Sequence, residues 1–205
     1  PKGTIEAAAI RDEVEKAGMT VDALLDMKRC DPETKWRSLS HNDRETFGKA
    51  CILRAPIPRN DLPPTRTGVI PTDYNGMTQI PRETADLFLS KADRGSLRRW
   101  HSWAADYWLD KGERSERLFH LIKSGRNLEA NWLAMRMKAD ILFSPSDDLL
   151  ESLSMIRPES GLERNMAWLC AEAAIGCRDL KKAREMAEKL RRLESPEHMT
   201  VMSQI

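Results

Sequence analysis

Between Trp100 and Ala130 the chain alternates helix, glycine stop, helix, glycine stop, helix, and this limits it to an architecture of short stacked helices. The run from Trp100 to Lys111 stops at Gly112, the run from Arg117 to Ser124 stops at Gly125, and a third helix opens near Leu128. Leu97, Trp100, Trp103, Ala104, Tyr107 and Trp108 recur at three- and four-residue steps, which places them along one side of a helix. Glycine closes such a run because the residue after a helix commonly adopts a left-handed backbone that a Cβ disfavours. Small residues such as Ala104, Ala105 and Ala130 allow close helix contacts.

The same rhythm continues downstream. Helices are expected over 83–91, 96–110, 113–123, 128–139, 147–155, 162–175 and 180–193, divided by Gly125, Pro145, Pro158 to Gly161 and Gly176. Connectors this short make consecutive helices antiparallel neighbours. Ala167, Ala171 and Ala174, followed by Ala183, Ala187 and Leu190, resemble the small and large alternation of tetratricopeptide-type pairs. Arg178 stands where that pattern places its turn glycine, and Gly176 comes two residues early. The spacing is not a strict repeat, so a generic α-solenoid or irregular bundle is the alternative to repeat-like stacking.

Upstream, Thr4 and Thr20 cap two short helices that form a hairpin, and Ser40 caps a third that buries Phe47, Ala50, Cys51 and Leu53. Pro56 and Pro58 end it. From Asn60 to Pro81 prolines and glycines break the helical pattern. Asn75-Gly76 lies between Val69-Ile70 and Met77 to Ile80, which predicts a small β-hairpin across about residues 68–80, with an irregular loop as the alternative.

Composition restricts the partners. The 205 residues carry 33 basic and 32 acidic side chains, so no bulk charge favours nucleic acid, a membrane surface or a polyanionic substrate. At 40% hydrophobic the chain can bury a core. No apolar run approaches the roughly 18 residues of a membrane span. Cys30, Cys51, Cys170 and Cys177 show no CxxC spacing and read as reduced, mostly buried thiols of a cytoplasmic protein. The chain opens on Pro1 rather than Met, as a piece of a longer protein would.

An ordered series of motifs adds a resemblance. Trp36-Arg37-Ser38-Leu39-Ser40, Asn42-Asp43-Arg44-Glu45-Thr46-Phe47 and Leu53-Arg54-Ala55-Pro56-Ile57-Pro58 resemble the opening of the winged-helix domain in STAND-class, archaeal-type signal-transduction ATPases. Ile80-Pro81-Arg82-Glu83-Thr84-Ala85-Asp86-Leu87-Phe88-Leu89 is similar to the end of the wing. His101 to Tyr107 and His120 to Arg126 are similar to the H-x-x-A-A-x-Y-W and H-L-I-x-S/A-G-R starts of the helical arm that follows. The resemblance covers roughly residues 36–135. It departs from the family in a short, proline-rich stretch from Asn60 to Val69 and in lacking any GxxxxGK[ST] phosphate loop. It implies the non-catalytic C-terminal part of such an ATPase, or a relative without the motor. The expected fold is thus mainly all-α, with a helical hairpin over 1–35, a winged-helix-like segment over 36–95 and tetratricopeptide-like helices over 96–205.

No residue pattern specifies catalysis. Asp147-Asp148 and Glu163 sit at helix starts, where carboxylates match the helix dipole. His101 and His120, with Asp106 or Glu116, could hold zinc, but no ligand spacing joins them and helix-orienting hydrogen bonds are the preferred reading. Cys170 and Cys177 share a helical face and read as small packed side chains rather than a redox pair. The basic residues of the last helix are neutralised by interleaved acids. Neither metal nor cofactor is expected. A partner-binding surface is assigned to Trp100, Trp103, Trp108, Arg126 and Trp132, although tryptophans at this spacing more often build a core. The function expected is a protein–protein interaction or autoregulatory scaffold that binds a protein or peptide. One alternative is a winged-helix DNA-binding regulator using Arg66, Arg94, Arg98 and Arg99, and a second is a divergent hydrolase fragment.

Overall fold

The computed structural model describes residues 36–65 and 70–193, so the hairpin expected over 1–35 lies outside the described residues. What is described is mainly helical, with nine α-helices and one two-stranded antiparallel sheet. The chain divides into two compact units between Ala104 and Ala105, within the helix Arg94–Lys111 and nine residues past the boundary expected between residues 95 and 96.

In the first unit, helix α1 (His41–Cys51) begins at Ser40, whose hydroxyl accepts the Asp43 N–H at 3.1 Å and donates to the Asp43 carboxylate at 2.7 Å. This satisfies one of the amides a helix start leaves open. Phe47, Ala50, Cys51 and Leu53 are buried, as their spacing predicts. Helix α2 (Arg82–Leu89) packs on α1 and places Phe88 edge-on to Phe47 at 4.8 Å and 5.7 Å from Trp36. Arg44 fastens the preceding turn, donating to the carbonyls of Trp36 and Arg37 at 2.9 Å each. Helix α3 (Arg94–Lys111) sets Trp100 over Gly48 and donates its indole N–H to Glu45 at 2.8 Å.

The small sheet is present, with a different partner strand from the one the turn signal suggests. Strand β1 (Ile57–Pro58) pairs with β2 (Met77–Thr78), Ile57 facing Thr78. Ile70 is buried outside any strand, and Val69 lies outside the described residues. Asp73 accounts for the difference: its carboxylate accepts the N–H of Asn75 at 2.9 Å and of Met77 at 2.8 Å, closing a turn immediately ahead of β2. Pro71 has no N–H for a ladder, and its carbonyl instead accepts the Thr78 hydroxyl. Between β1 and β2 the described residues hold one 3-10 turn, Arg59–Asp61, and no α-helix.

The second unit continues from α3 through α4 (Arg114–Ser124), α5 (Asn127–Arg136), α6 (Lys138–Phe143), α7 (Asp147–Met155), α8 (Glu163–Gly176) and α9 (Leu180–Leu193). The helix expected over 128–139 breaks at Met137, whose N–H is shared between the carbonyls of Leu133 and Ala134, and α6 extends it to Phe143. Contacts skip along the chain: α4 lies against α5 and α7, α8 lies against α5, α6 and α7, and α9 folds back along α8. Leu118, Leu121, Met137, Ile141, Leu149 and Leu169 fill the space between them, each contributing about 2 kcal/mol of burial. Ala130, Ala134, Ala173 and Ala174 are fully buried where larger side chains would push the helices apart. On α9 the buried residue is Met186, while Ala183 and Leu190 are half-buried and Ala187 is exposed.

Three helix ends share one cap. Gly112, Gly125 and Arg178 all have positive φ, and the paired bonds Gly125 N–H to Ile122 and Arg126 N–H to Leu121 recur at each. Gly176 serves another purpose, since the Pro145 ring occupies the place of its Cβ. Among the described residues no helix is long and apolar enough to cross a membrane.

Candidate functional site

The second unit carries an open groove along α4 and α5. Its smaller end, about 180 Å³, is lined by Trp108 and Leu109 of α3, Arg114 and Arg117 of α4, and Leu133 and Arg136 of α5. A wider opening of about 490 Å³ adjoins it, sharing Arg117, Leu133 and Arg136 and adding Glu129 and Trp132. The helical period explains who is there. Glu129, Trp132, Leu133 and Arg136 fall at three- and four-residue steps of α5, and Arg114 and Arg117 are three apart on the first turn of α4. Gly112 ends α3 and turns the chain so that α4 starts beside the end of α3.

The charges in this groove are incompletely matched. The Arg114 guanidinium lies 3.4 Å from Asp140, the Arg117 guanidinium 3.7 Å from Glu129, and Arg136 makes no ion pair among the described residues. Trp108 is 5% exposed, and its indole N–H has no acceptor. The Nε of Arg117 is likewise buried without one. Buried donors usually find a partner, so two orphans in one wall leave a local excess of positive potential. The start of α4, which has no side-chain cap, adds the positive end of a helix dipole.

Beside the groove Arg126 forms a compact cluster. It grips Glu129 with two bonds of 2.6 and 2.7 Å and donates to Asp106 at 2.6 Å. These bonds hold the Glu129 carboxyl below the usual glutamate range.

The tryptophans and arginines singled out from sequence divide between core and surface. Trp100, 2% exposed, is buried and lines no part of the groove, while Trp108, 5% exposed, is buried as part of the wall of its smaller end. Trp103 is half-buried, with the Lys49 ammonium 5.3 Å from its ring centre. Trp132 is 57% exposed in the groove, and Arg126 borders it through Glu129. Of the arginines weighed for DNA, Arg94 and Arg98 are exposed, Arg99 donates to Glu45 at 3.0 Å and Ser96 at 2.9 Å, and Arg66 lies outside the described residues. His120 is fully buried and His101 half-buried, and no three metal-ligating side chains come together among the described residues. Cys51, Cys170 and Cys177 are free thiols, and burial raises the pKa of each.

Sequence reading passed over Arg114, Arg117 and Arg136. Their spacing within α4 and α5 was visible, but nothing local says that the start of one helix faces the end of the other. No protein-family model, curated protein or solved structure matches this chain.

Proposed function

We propose that the second unit is a non-catalytic, protein-binding helical module whose contact surface is the groove along α4 and α5. The observation that supports this reading is an exposed tryptophan, Trp132, beside Arg117 and Arg136 in a groove that continues to Arg114, with the charges of the three arginines incompletely matched within the chain. Tryptophan and arginine are the side chains that most often dominate binding energy at protein interfaces. The wider part of the groove, about 490 Å³, has the size of a small-molecule site, but the groove lies open along the helices rather than enclosing a volume, which favours a partner surface over a cofactor.

The order of contacts, with α4 touching α7 and α5 and α6 touching α8, supports a repeat-like arm of stacked helix pairs. Together with the motifs from Trp36 to Arg126, it supports a place in the regulatory part of a STAND-class signalling protein. The DNA-binding reading has less support, because no α-helix lies between β1 and β2 among the described residues to enter a groove.

A pull-down from cell extract with the wild-type chain and a Trp132→Ala/Arg136→Gln variant tests the proposal. Both side chains are exposed, so the variant keeps its helical circular dichroism. A protein retained by the wild type and lost with the variant is the expected result. Identical retention by both chains overturns it.

A further inference from the structure

We infer that the smaller cleft takes a carboxylate of an acidic peptide segment in the partner, and that Glu129 is the built-in competitor for it. The inference rests on the partner-binding reading above and names the chemistry of what binds. Arg114, Arg117 and Arg136 surround one small space, and a guanidinium fork matches a carboxylate in two parallel hydrogen bonds. The orphan N–H groups of Trp108 and Arg117 are closed off from water, so they contribute field rather than direct bonds. An anion in the cleft compensates that field.

A nucleic acid fits less well. Its phosphates would track along elements that also carry Asp106, Asp110, Glu113 and Asp140, whereas a peptide can present one acid to the cleft and an apolar neighbour to Trp132 and Leu133.

Glu129 lies within reach of Arg117, at 3.7 Å, and is held by a pair of much shorter hydrogen bonds from Arg126. Arg126 is therefore a positioning residue. By restraining Glu129 it leaves Arg117 for the ligand, and loss of Arg126 lets Glu129 swing onto Arg117.

Fluorescence anisotropy on the full chain tests this with a labelled peptide of four glutamates and a leucine, against its four-glutamine analogue and a short single-stranded oligonucleotide. The glutamate peptide should bind, the glutamine peptide about tenfold or more weaker, and the oligonucleotide should not displace it. Arg117→Gln should weaken the glutamate peptide about tenfold, Glu129→Gln should tighten it about threefold, and Arg126→Gln should weaken it. In the Glu129→Gln background Arg126→Gln should then have no effect, which a merely structural role for Arg126 would not produce. Equal binding of both peptides overturns the charge selection and leaves a partner-binding groove standing. Failure of both peptides to bind at millimolar concentration overturns the groove itself, and displacement by the oligonucleotide overturns the choice of peptide. An Arg126→Gln effect that persists without Glu129 overturns the competitor role.

Discussion

Gly48 lies in the middle of α1, where a glycine costs helix stability, and the indole of Trp100 fills the space its side chain would occupy. The tryptophan is then fixed from its edge by Glu45, which also receives Arg99. Gly48→Ala gains helix propensity and loses this fit, and overpacking a filled core typically costs more than propensity returns. The expected outcome is a destabilisation of about 2 kcal/mol, read as a lower urea midpoint with an unchanged slope. An unchanged midpoint would mean the ring can retreat at no cost. Arg178 is the opposite case, a residue with a Cβ in the left-handed position that Gly112 and Gly125 fill elsewhere. The sequence showed that Arg178 occupied a glycine's place; only packing showed that Gly176 was needed under Pro145 instead.

Helix α5 serves three ends within ten residues. Ala130 and Ala134 face the core, Glu129, Trp132 and Arg136 face the groove, and Asn131 anchors the loop after α7. Asn131 is fully buried, donates to the carbonyls of Asn127 at 2.9 Å and Arg157 at 3.0 Å, and accepts the Glu159 N–H at 3.2 Å. Asn131→Leu keeps the branched shape, adds volume and removes the acceptor of the Glu159 N–H, and a buried unsatisfied group costs about 1–3 kcal/mol. Thermal unfolding should therefore shift down by several degrees, with the groove variants Trp132→Ala and Arg136→Gln shifting little. A neutral Asn131→Leu would show that water replaces the lost partner. The apolar period of α5 was legible in the sequence. The anchoring role was not, because it depends on a loop 26 residues away in sequence.

The two compact units each have their own buried residues, and the second contains the whole candidate groove. A fragment of residues 93–205 keeps Asp93, which caps α3 by accepting the Ser96 N–H at 2.9 Å and the Ser96 hydroxyl at 2.6 Å. Such a fragment should be helical and melt in one cooperative transition by circular dichroism. A molten, gradual transition would refute the second unit as an autonomous module. What the sequence determined by itself is local: helices from a 3.6-residue period and their ends from glycine and proline, because each rests on interactions within a few residues. Tertiary structure alone decided which strand β2 joined, which tryptophans were buried, and that Arg114, Arg117 and Arg136 share one cleft. Those outcomes depend on which surfaces meet across the fold, and no spacing along the chain encodes that distance directly.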